Sequence, residues 1–110
     1  MKTKLKINEY AKSIMDWRIN WGFCTPSNLD TQINRDLMLG KLMLVTTEVS
    51  EAAEAVRHKD QLNFEEELAD TFIRLMDITA ACGIDIESVI IRKMATNHTR
   101  PIKHGKHCSL

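Results

Sequence analysis

The chain has 110 residues, 44% of them apolar, with 15 basic side chains against 15 acidic ones. That suits one domain, residues 1–110, with a small core. A formal charge of zero gives no basis for expecting polymeric nucleic acid or a membrane surface as partner.

Every long segment has a helical period and none alternates convincingly as a strand, so the expected fold is all-α. The start, MKTKLKINEYAKSIMDW, mixes charge with apolar residues and lacks the apolar stretch of a signal peptide. The first helix is expected from about residue 4 to 20. WGFCTPSNLD follows, with Gly22 and Pro26, and reads as a loop. The second helix starts near Asp30 or Thr31, either a good N-cap, and continues to about His58. It would be on the order of 40 Å long. Asn63 is expected to open the third helix, with Glu66 as its capping-box partner. Gly83 ends that helix near Cys82. Asp85 caps a fourth helix, with Ser88 at its third position, and Pro101 closes it. The tail from about 101 to 110 is basic, has no periodicity and is expected to be mobile. The apolar arcs of the second and third helices are wide, which predicts a helical oligomer.

No apolar run approaches roughly 20 residues, so no membrane span is expected. Cys24, Cys82 and Cys108 are widely spaced and odd in number, with no CxxC pair. Reduced thiols in a cytoplasm fit this better than a disulfide framework. Charge is unevenly placed along the chain. Glu48 to Asp77 holds nine acids and three Lys or Arg, whereas the chain after Glu87 holds five Lys or Arg and no acid. An acidic middle and a basic tail suit each other, or a ligand that carries both a metal and phosphates.

Four acids form the sharpest signal. With Glu48 at zero on a helical wheel, Leu44, Val45, Ala52 and Ala55 lie within about 60° of it. Glu54 has an ordinary solvated place opposite, but Glu48 sits in an apolar stripe. Glu51 lies one turn away at the stripe's edge. An unpaired buried carboxylate is costly, so something should compensate it. On the third helix Glu67 and Asp70 are also i and i+3, sharing an arc with Thr71 and Arg74. The link HKDQLN is short, so the two helices should be antiparallel neighbours that bring the four carboxylates together. Like charges converge only around cations. An all-oxygen set with no His or Cys suits Mg²⁺ or Mn²⁺. Either pair alone is an ordinary solvated helix face. Two pairs on adjacent helices are not so easily explained that way.

The order E-x-x-E (Glu48, Glu51), E-x-x-D (Glu67, Asp70) and K-x-x-x-N (Lys93, Asn97) resembles the all-α nucleoside triphosphate pyrophosphohydrolases. This is the MazG-like superfamily, which also includes the dimeric dUTPases. The resemblance spans residues 35 to 106 and looks closest to the short, single-domain integron- and phage-type members. It implies a four-helix bundle completed by oligomerisation, as a homodimer or a homotetramer made of two dimers. It implies hydrolysis of a Mg²⁺-bound (d)NTP between the α and β phosphates, giving a monophosphate and pyrophosphate, as house-cleaning of deoxynucleotides. Glu48, Glu51, Glu67 and Asp70 match the metal ligands, and Glu48 or Glu51 would also activate water. Lys93 and Asn97 match positions that reach phosphates or sugar.

Arg100, Lys103 and Lys106 are further phosphate candidates, with a solvated tail as the alternative. His104-x-x-His107-Cys108 has metal-like spacing but lies in the terminal tail. Trp17 and Trp21 are candidates for stacking on a base, though core packing is the reading favoured for Trp17. Asp36 and Lys41, with Leu37, share one side of the second helix and could approach the base or sugar.

Three other functions fit the sequence less well. A di-iron bundle needs Glu-x-x-His, and no His here follows a Glu by three. A non-catalytic oligomer that binds nucleotide or protein would leave Glu48 unexplained. A member that has lost activity would not need all four acids.

Overall fold

The computed structural model describes residues 6–20 and 28–99. Residues 21–27 of the expected loop, with Trp21, the closure at Pro101 and the tail with Arg100, Lys103 and Lys106 lie outside them. Four helices follow one another: α1 (Ile7–Asn20), α2 (Gln32–Arg57), α3 (Gln61–Ala81) and α4 (Ile86–Thr99), with no strand among the described residues.

The helix boundaries follow from local chemistry. Thr31 is extended and its hydroxyl accepts from Asn34 N–H, which caps α2. At the other end His58 is the C-cap and Lys59 turns left-handed, with φ 56°. Lys59 N–H donates to Val56 C=O and Asp60 N–H to Ala55 C=O, a Schellman ending. Asp60 then accepts from Asn63 N–H and starts α3. The expectation that Asn63 opens this helix is therefore corrected. Asp60 serves two helices at once, so α3 begins at Gln61 and Asn63 falls at its third position. Gly83, with φ 63°, ends α3 by the same motif, through Gly83 N–H to Ala80 C=O and Ile84 N–H to Thr79 C=O. Asp85 caps α4 as expected, accepting from both the N–H and the hydroxyl of Ser88.

The link between α2 and α3 is only three residues long, and the two helices pack as antiparallel neighbours. α3 also packs on α1, and α1 on α4. At that last contact the two helix starts hold each other. Asn8 N–H donates to Glu87, Asn8 Nδ2 donates to Asp85, and Glu87 N–H donates back to Asn8. The Asn8 and Ser88 donors keep the Asp85 carboxyl below its usual range.

This serial packing buries little. Among the described residues the buried apolar side chains are Ala11, Met38, Ala52, Ala55 and Ala81. Alanines at the crossings let the helices approach closely, but they remove little apolar area from water. Leu39, Met43, Phe72 and Ile91 stay largely exposed. No described helix is long and apolar enough to cross a membrane.

Candidate active site

α2 and α3 run in one register along their whole contact. Lys41 faces Asp77, Glu48 faces Asp70, and Glu51 faces Glu67. Because 48, 51 and 67, 70 are each one turn apart, both pairs point into the same seam. Carboxylate oxygens of Glu48, Glu67 and Asp70 lie within 4.8 Å of one another. Glu48 and Glu67 are each only 8% exposed, and Asp70 is open to solvent. Glu48 is thus buried, as its place among Val45, Ala52 and Ala55 required.

The strain of that convergence shows in Glu67. A hydrogen bond shared with the Glu51 carboxyl, then burial, then the charges of Glu51 and Glu48 raise its pKa to about 7. Arg74, which the sequence placed only on the same arc as Asp70, donates from Nε to Glu48 at 3.1 Å. Among the described residues, one guanidinium for four carboxylates leaves a surplus of negative charge. The donor set is hard oxygen with no nitrogen or sulfur, and its oxygens are already close. It fits a hard divalent cation.

Beside the acids a cleft of about 1130 Å³ opens between α1, α2 and α3. α1 lines it with Tyr10, Ser13, Ile14, Trp17 and Arg18, a stripe at helical spacing. α2 contributes Leu37, Gly40, Lys41, Leu44 and Glu48, and α3 contributes Asp70, Ile73, Arg74 and Asp77. The core-packing expectation for Trp17 is corrected. Trp17 is 57% exposed and stands on the cleft wall. Lys41 is in the cleft, but Asp36 is not. Asp36 is exposed and accepts from Gln32 Nε2. Lys93 and Asn97 are exposed on α4 and do not line the cleft.

Arg18, Arg74 and Asp77 are cleft residues that motif reading missed. A signal was available for two of them, since Arg74 and Asp77 continue the Glu67–Asp70 face at i+4 and i+7. Arg18 had none beyond its place beside Trp17.

Residues 40–101, more than half of the chain, match the MazG nucleotide pyrophosphohydrolase domain. The chain belongs to the MazG family. Searches of curated proteins and of solved structures returned no match. The family match covers α2 from Gly40, all of α3 and all of α4, and so includes all four acids of the seam. α1 lies before it, so Trp17 and Arg18 reach the cleft from outside the matched region.

Proposed function

We propose that the chain is a Mg²⁺-dependent, single-domain pyrophosphohydrolase that cleaves a deoxynucleoside triphosphate between its α and β phosphates. The observation that carries this reading is the convergence of Glu48, Glu67 and Asp70, two of which, Glu48 and Asp70, line a nucleotide-sized cleft. These three carboxylates would hold the cation, with Mn²⁺ as a substitute. A cation held there would neutralise phosphate charge and make water a better nucleophile.

Each residue then has a role set by its place. Glu48 is committed to Arg74, whereas Glu51 stands at the exposed rim beside Glu67. Glu51 is therefore the base that orients a water and takes its proton. The water oxygen bonds to phosphorus as the α–β bridging bond breaks, and pyrophosphate leaves with the electron pair. Arg74 is placed to steady the phosphate charge that builds up. Trp17 supplies a flat face for the base.

Two copies complete the site in this reading, as a homodimer or a pair of dimers. The exposed apolar faces of α2 and α3 are the surface they would bury. Lys93 and Asn97, outside the cleft of their own chain, would reach the phosphates held by the neighbouring copy. The basic residues Arg100, Lys103 and Lys106 would follow them there. Such an enzyme would work in the cytoplasm on free nucleotides, not on polymers or membranes.

The deciding assay is pyrophosphate release from a panel of dNTPs and NTPs, with Mg²⁺ and with EDTA. Mg²⁺-dependent release is expected, faster for deoxynucleotides. If nothing turns over and calorimetry detects neither Mg²⁺ nor nucleotide binding, the acids are structural and a non-catalytic helical module replaces this reading. Mixing Glu48→Gln protein with Lys93→Ala protein tests the shared site. Activity should reappear in the mixture, and its absence would return Lys93 to a surface role.

A further inference from the structure

The cleft has a second charged end, which the phosphate chemistry leaves unused. Asp77 is 5% exposed and lies two helical turns beyond Asp70 on the same face of α3. Its Oδ2 accepts from Lys41 Nζ at 2.8 Å and from the Arg18 guanidinium. Its Oδ1 is buried and accepts no hydrogen bond among the described residues. The three groups come from three helices, and all line the cleft.

Together they carry one net positive charge. Lone cations in a mostly apolar cleft would be costly to desolvate and free to swing. Held by one carboxylate they become fixed donors, and fixed charged donors select by geometry as well as by charge. Along the helix axis they sit roughly 10 Å from the Glu48–Asp70 cluster. That is the scale of a nucleoside, with its phosphates at the acids and its base at Asp77.

We propose that Lys41 and Arg18 read hydrogen-bond acceptors on the edge of the nucleobase, and that Asp77 is the positioning residue that sets base preference. The inference rests on the nucleotide reading above. It assigns specificity to residues of which one, Arg18, lies outside the region matched to the family.

The test compares wild type, Asp77→Asn and Lys41→Met on the four common dNTPs and on deoxyribose 5-triphosphate, which has the phosphates and sugar but no base. For the preferred dNTP, kcat/KM should fall about tenfold or more, mainly through KM. The ranking of the four bases should flatten. The loss on the base-free compound should be several times smaller. An equal loss on all five compounds overturns the proposal, because the triad would then serve the phosphates or the fold. An unchanged ranking in Lys41→Met overturns it too. Should Asp77→Asn fail to fold, Lys41→Met carries the same expectation. If wild type hydrolyses none of the panel, calorimetry with the four deoxynucleoside monophosphates separates the two readings. Base-ranked binding that flattens in the variants keeps this inference and removes the hydrolase. Binding with no base ranking, or no binding, overturns it.

Discussion

Lys41 and Asp77 face each other across α2 and α3, and two turns along the same seam so do Glu48 and Asp70. At the first position one carboxylate meets two cations. At the second, Glu48, Glu51, Glu67 and Asp70 gather around one guanidinium. One end keeps a single positive charge over after its carboxylate is paired, and the other gathers more carboxylates than its guanidinium can balance. Where two packed helices share one backbone geometry, side-chain charge alone makes the two ends of the seam chemically different.

The largest effects should come from removing charge at the unsatisfied end. Glu48→Gln and Asp70→Asn keep shape and helix propensity but take away ligand charge. Each should lower turnover on the order of a hundred- to a thousandfold, the several kcal/mol a bound cation supplies. Circular dichroism should show helix content unchanged. Full activity in either variant would mean that the two ends do not differ in function.

A smaller effect should separate the ends by pH. Glu67 has its pKa raised from 4.5 to about 7 by its carboxylate neighbours. Between those values the folded protein holds a proton that the unfolded chain has lost. Without metal, the contribution of Glu67 to stability is therefore highest at low pH and falls as pH rises through about 7. A divalent ion must displace that proton, so its affinity should weaken below about pH 7. Calorimetry in buffers of different ionisation enthalpy should detect proton release on Mg²⁺ binding at pH 6 and little at pH 8. Glu67→Gln should abolish the release. Release that persists in that variant would place the shared proton elsewhere.

The two ends also differed in how far they could be read from the sequence. The acid end was legible because four carboxylates at i,i+3 on two adjacent helices are a local pattern, and Glu48 was visibly out of place in its apolar stripe. The helix ends at Thr31, Gly83 and Asp85 were legible for the same reason. Asp60 was missed because one residue there ends α2 and starts α3, and a left-handed Lys59 carries no sequence mark of its own. The Arg18–Lys41–Asp77 end was illegible as a unit. Its members come from three helices, so only the register between helices brings them together. Trp17 was misjudged on similar grounds. Whether a tryptophan packs inward depends on how α1 sits on α3, and no pattern within α1 specifies that.

The smallest effect concerns the Lys41 end of the seam. Gly40 stands mid-helix beside Lys41 on the cleft wall, where helix propensity disfavours it. A Cβ added there meets nothing within 4 Å, so packing does not require a glycine. Gly40→Ala should therefore stabilise the folded chain by about 0.5–1 kcal/mol, read as a higher melting temperature. The added methyl would also occupy space in the cleft. If a nucleotide lies along it, from the acids to Asp77, the same variant should raise KM for dNTPs while leaving Mg²⁺ affinity in place. A stabilised protein with unchanged KM would show that the substrate stays at the acid end, and that the charged triad two turns away only holds the helices together.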